Sequence, residues 1–93
     1  MSSTRKGRDI DAALRSKGFS RDVSGDHYYY RFGDTRVRTK ISHGMMGSSL
    51  GAKLIGDMAR QLHLTKKQFL ALIDCPLGED GYRAILEEHG MIA

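Results

Sequence analysis

The sequence predicts one small α+β domain in which helices cover one face of a three-stranded antiparallel sheet. Three observations carry that reading. Thr35 to Ile41 (TRVRTKI) alternates strictly, with Val37, Thr39 and Ile41 on one side and Arg36, Arg38 and Lys40 on the other. Just before it, His27 to Phe32 (HYYYRF) is aromatic and β-prone, and only Gly33-Asp34 separates the two runs. Apolar residues at helical spacing flank this hairpin on both sides.

Residues 1–7, MSSTRKG, are polar and expected to be loose. RDIDAALRSKG then reads as a short helix with Ile10, Ala13, Leu14 and Lys17 along one face, and Gly18 supplies a left-handed cap. Phe19 to Val23 forms the first strand, and Ser24-Gly25-Asp26 is a turn cluster. His27 to Phe32 is the second strand, Gly33-Asp34 a two-residue hairpin of type I′ or II′, and Thr35 to Ile41 the third strand. Ser42 to Gly51 is a Gly/Ser-rich connection. It leads into a helix, SSLGAKLIGDMARQLH, with Leu50, Leu54, Ile55, Met58, Ala59 and Leu62 in one stripe. Thr65 opens the next helix, where Thr65 with Gln68 has capping-box spacing and Leu64 with Phe69 has staple spacing. Its apolar face is Phe69, Leu70, Leu72 and Ile73, and Pro76 ends it. A last short helix, EDGYRAILEEHG, turns Tyr82, Ile85 and Leu86 inward and stops near Gly90. No internal repeat or second domain is visible, so residues 1–93 read as a single domain.

Strand parity makes the sharpest expectation. Tyr28, Tyr30 and Phe32 are the more apolar set of the second strand and belong with Val37 and Ile41 under the helices. The open face then carries His27, Tyr29, Arg31, Arg36, Arg38 and Lys40. A slip of one residue would reverse every assignment.

Charge agrees with a cationic working face. The net charge is +4, with ten Lys/Arg against five Asp/Glu in residues 1–43 and five against six in residues 44–93. Such a front half attracts polyanions, of which RNA and DNA are the commonest, although mild basicity also serves solubility alone. No signal-peptide pattern and no run of 18 apolar residues occurs, and the lone Cys75 has no partner for an internal disulfide. The expectation is a reduced, cytoplasmic protein without a membrane partner.

The four histidines, His27, His43, His63 and His89, lack the close spacing of a zinc site, and no phosphate-binding glycine motif is present, so no metal or cofactor is expected. His27 is the best catalytic candidate. An imidazole both accepts and donates protons near neutrality, and RNA cleavage needs a base for the 2′-hydroxyl and an acid for the leaving oxygen. Arg31, Arg36, Arg38 and Lys40 would hold phosphate and stabilise transition-state charge, and Tyr29 would stack on a base. His43 either completes an acid/base pair with His27 or, the stronger reading, bonds the loop backbone. By residue type and position alone, the plainer reading of His27 as a polar strand residue is the stronger. The cations divide evenly between phosphate contacts and a charged, aggregation-resistant sheet. IGDMARQLHLTKKQFLALI also has the outline of a helix-turn-helix with Lys66, Lys67 and Gln68 facing DNA, but an ordinary helical hairpin packing on the sheet is the stronger reading.

The order KGF, SGDHYYYRF, VRTKISHG and LIGDMARQLHLTKKQFLALI resembles the HicA toxins of the HicA–HicB toxin–antitoxin family, over about Lys6 to Leu72. Gly25-Asp26-His27 stands where that family has Gly-x-His, and His43-Gly44 where it has His-Gly. The resemblance implies a double-stranded-RNA-binding-domain-like α-β-β-β-α fold and metal-independent cleavage of messenger RNA. It implies His27 as the catalytic residue and a HicB-like antitoxin that covers the active face. The chain departs from the family at Asp26, where a small hydroxyl residue is usual, so that a carboxylate either orients the imidazole or repels phosphate. It departs again in the irregular MMGSSLG loop and in the helical extension from residue 75 to 93. Three hypotheses follow: an RNase using His27, a non-catalytic RNA-binding module of the same fold, and a helix-turn-helix DNA-binding regulator.

Overall fold

The computed structural model describes residues 4–74 and 76–91. Residues 1–3 of the terminus expected to be loose, the lone thiol Cys75, and the last two residues of the C-terminal extension lie outside them. The described residues form a mixed α+β fold with a three-stranded antiparallel sheet, a short two-stranded pair and four α-helices. β1 (Arg5–Lys6) leads into α1 (Gly7–Ser16). β2 (Phe19–Ser24), β3 (His27–Phe32) and β4 (Arg38–Ser42) form the main sheet in the order β2-β3-β4. A single 3-10 turn (His43–Met45) and β5 (Ser49–Leu50) precede α2 (Ala52–Gln61), α3 (Lys66–Asp74) and α4 (Glu79–Glu88).

The expected parity is the observed one. Tyr30, Phe32, Val37, Thr39 and Ile41 are buried, whereas Arg31, Arg36, Arg38 and Lys40 are exposed. Burial of that face is enough to fix the register, because a one-residue slip would put guanidinium groups into the core. α1 and α2 lie against the covered face and α3 packs on both. Tyr30 sits at the centre, fully buried, with its Oη donating to Asp11 Oδ1 at 2.6 Å. Arg21 Nη1 donates to the same oxygen at 3.1 Å. Burial, and then the Asp11 bond, push the Tyr30 phenol well above its usual pKa. These bonds tie β2 and β3 to α1 beneath the open face.

The third strand starts later than its alternation suggests. Gly33 takes a left-handed conformation (φ 53°), as the turn requires. The chain then spends four further residues before β4 begins at Arg38, so the two-residue hairpin is not formed. Thr35 is the cause. Its hydroxyl donates to Phe32 O at 2.6 Å and accepts from Val37 N at 3.1 Å, which satisfies backbone groups locally in place of ladder partners.

Arg5 to Gly7, expected to be loose, are held by the loop after β4. Arg5 and Lys6 pair with Leu50 and Ser49, and the loop after β4 closes over the start of α1. Gly7 N donates to Ser48 O and Arg8 N to Met46 O, each at 2.9 Å, so loop carbonyls replace a side-chain cap. A Cβ at Gly7 would collide with the backbone oxygen of Met45, so this approach needs glycine. β5 takes Ser49 and Leu50, and α2 therefore begins at Ala52, later than the apolar stripe implies.

Downstream, the capping box forms in both directions, with Thr65 N donating to Gln68 Oε1 at 2.9 Å and Gln68 N to Thr65 Oγ1 at 3.1 Å. Lys17, predicted on the apolar face of α1, is buried and donates from Nζ to Leu72 O at 3.0 Å and Leu77 O at 2.8 Å. It thereby joins the ends of α1 and α3. α4 belongs to the same core. The Tyr82 ring lies 4.8 Å from Phe32 and 5.6 Å from Phe19, and its hydroxyl donates to Leu62 O at 2.9 Å.

Candidate nucleic-acid interface and active site

Pairing sets the open face row by row. Ser24, His27 and Ser42 form one row, Asp22, Tyr29 and Lys40 the next, and Ser20, Arg31 and Arg38 the third. Rows on one face repeat every ~6.8 Å along a strand. The half-buried His27 imidazole lies 6.1 Å from the Tyr29 ring.

Three clefts follow one another along the β4 edge of this face. The first, about 230 Å³, opens where β4 meets α2, and His27, Lys40, Ser42, Asp57 and Gln61 are among its polar residues. The second, about 250 Å³, is lined by Tyr29, Arg38, Thr39, Lys40 and Gln61. The third, about 380 Å³, lies by the hairpin loop between Arg31, Arg36 and Arg38, with Asp34 and Thr35. Lys40 is shared by the first two clefts and Arg38 by the last two. One track thus runs from an imidazole past a lysine to three arginines.

The cations of that track, Arg31, Arg36, Arg38 and Lys40, form no ion pair among the described residues, although Asp34 and Asp57 also line its clefts. The ion pairs engage Arg5, Arg15, Arg21, Arg60 and Arg83 instead. Arg31 and Arg38 face each other directly across the ladder. Like charges in that position are destabilising, typically by about 0.2–1 kcal/mol. A phosphate between them would convert the repulsion into two charge-assisted contacts.

His43 is placed elsewhere. Its ring stacks on Tyr28 at 4.2 Å, and Arg21 lies 4.9 Å over the same tyrosine from β2. Tyr28 points to the helix side of the sheet, so the His43 and His27 rings lie on opposite sides of β3. The backbone of His43 instead closes the turn before β3, donating from N to Asp26 O at 2.8 Å. Of the sequence-selected residues, the structure brings together His27, Tyr29, Arg31, Arg36, Arg38 and Lys40, and leaves His43 behind the sheet.

The cleft residues Leu54, Asp57 and Gln61 were not identified from the sequence. By spacing Leu54 belongs to the apolar stripe of α2, yet it is 41% exposed and lines the cleft beside His27. Gln61 is fixed by the buried Thr39, whose hydroxyl donates to its Oε1 at 2.6 Å.

A second basic groove, about 800 Å³, runs between α2 and α3 and includes Lys53, Arg60, His63 and Lys66. His63 is in the left-handed conformation (φ 62°) at the turn between the helices. No helix among the described residues is long and apolar enough to cross a membrane. The chain matches no family model, and no curated protein or solved structure is significantly similar to it.

Proposed function

We propose that the chain is a HicA-like messenger-RNA interferase, an endoribonuclease acting in the cytoplasm whose basic face a HicB-like antitoxin covers. The carrying observation is the directly opposed, unpaired Arg31 and Arg38 on the same open face as His27. That arrangement costs stability in the free protein and is relieved by an anion. In this reading His27 removes the proton of a 2′-hydroxyl. The 2′-oxygen bonds to phosphorus, the bond from phosphorus to the 5′-oxygen breaks, and that oxygen takes up a proton. Arg38 and Lys40 stabilise the extra charge on the phosphoryl oxygens, and Tyr29 stacks on a neighbouring base. The test is a labelled RNA in EDTA with the native chain and with His27→Ala. Cleavage by the native chain alone is expected. Equal degradation by both removes the enzymatic reading, and tight binding without cleavage by either leaves a non-catalytic RNA-binding module.

A second reading, DNA binding through α2 and α3, is favoured by the left-handed His63 at their turn and by the cations lining the groove between them. It expects Lys66→Gln with Lys67→Gln to abolish duplex-DNA binding and strand arginine changes to leave it intact. The reverse result selects the sheet.

A further inference from the structure

We propose that the cleft beside His27 holds one unstacked nucleobase, so that the substrate is single-stranded RNA and α2 selects the base next to the cut. This rests on reading the open face as an RNA-cleaving surface.

The cleft has the size and lining for a single ring system. Its volume of about 230 Å³ lies below the roughly 300 Å³ at which drug-sized ligand sites begin. Ile41, Met45, Leu54 and Met58 make it apolar within. Thioether and aliphatic groups of this kind pack well against aromatic faces. Two groups from α2 add directional chemistry. Gln61 spends its carbonyl oxygen on the Thr39 hydroxyl, which leaves the amide N–H groups as donors. Asp57 accepts from Arg60 through Oδ1 at 2.6 Å and keeps Oδ2 as an acceptor. A fixed donor and an acceptor on one wall match the hydrogen-bonding edge of a base.

Position supplies the rest. Lys40 lines both this cleft and the next, where Tyr29 and Arg38 lie, so a base seated here would put its own backbone beside a cation and its neighbour beside a stacking ring. A duplex keeps its bases stacked and paired, so only a single strand, loop or bulge can deliver one.

The test measures binding by fluorescence anisotropy, with His27→Ala as the parent so that RNA stays intact. The probes are single-stranded hexanucleotides in which one abasic residue is moved along the strand, with a blunt RNA duplex for comparison. One abasic position is expected to weaken binding about 5- to 150-fold, the range for loss of one stacked base. Leu54→Asp should bring the intact strand down to the affinity of that abasic strand, and Gln61→Met should change the ranking of bases at that position. Leu54→Ser serves as a milder variant, and thermal melts confirm that each folds. Strong binding that is indifferent to every abasic position, or equal binding of the duplex, overturns the pocket while leaving the basic face as an RNA surface. Leu54→Asp that dissolves a dimer in sedimentation without affecting RNA binding assigns the cleft to a second copy of the chain and also overturns it. Absence of any RNA binding overturns both the pocket and the nuclease reading.

Discussion

Replacing Arg38 by Gln should weaken RNA binding and strengthen the fold, two effects that normally do not travel together. Arg38 opposes Arg31 on the ladder and lines two of the three clefts. If Arg31, Arg36, Arg38 and Lys40 each neutralise one phosphate, log affinity for single-stranded RNA falls against log salt with a slope of about −2.8. Raising salt from 50 to 200 mM then weakens the native complex roughly 50-fold. With three cations the slope becomes about −2.1 and the loss roughly 18-fold. Removing one of two opposed guanidinium groups should at the same time raise unfolding free energy by about 0.5 kcal/mol. The assay is anisotropy with labelled RNA at three salt concentrations on the His27→Ala parent, with urea melts of the same proteins and Lys66→Gln as the control. An unchanged slope, or a slope that falls with Lys66→Gln instead, refutes the phosphate track. A destabilised Arg38→Gln refutes the claim that the arginine pair costs stability.

Lys17→Met keeps the apolar stem but leaves Leu72 O and Leu77 O without their donor, and urea melts should show a loss of about 3 kcal/mol. Gly7→Ala forces a methyl group onto Met45 O and should cost at least about 2 kcal/mol, with faster hydrogen exchange at the Arg8 amide as the loop lifts. Tyr30 and Tyr82 both have raised pKa values, from burial and, for Tyr30, the Asp11 bond as well. Their protonated forms are the folded forms, so this stability is complete below about pH 10 and is lost as pH rises further. Each tyrosine should cost about 1.4 kcal/mol in total between pH 9 and 11, and Tyr30→Phe should halve the combined loss in urea melts over that range.

What was legible in the sequence is what periodicity encodes. The alternation of Val37, Thr39 and Ile41 against Arg36, Arg38 and Lys40 placed the basic face correctly, because one covered side leaves no freedom of register. The capping box at Thr65 and the buried position of Lys17 were legible for the same reason, since both follow helical spacing. The hairpin loop was not, because a threonine hydroxyl competes with the ladder without disturbing the alternation. Nor was β1, whose two residues carry no period and whose partners Ser49 and Leu50 lie far along the chain. For His43 the sequence offers a bond to the loop backbone over a pair with His27, and its N donates to Asp26 O; its ring position was not legible because strand parity stops at Ser42, where the 3-10 turn redirects the chain. The cleft beside His27 exists only once α2 docks on β4, and no local pattern announces that Gln61 meets Thr39.

His27 acting on a 2′-hydroxyl is tested most directly on DNA strands that each contain a single ribonucleotide, incubated in EDTA. The expected result is a cut at the ribonucleotide alone, a product ending in a cyclic phosphate, and a rate at least about 100-fold lower for His27→Ala. An all-DNA strand cut at the same rate, or a His27→Ala rate within about twofold of the native one, would contradict the assignment of His27 as the proton-transfer group.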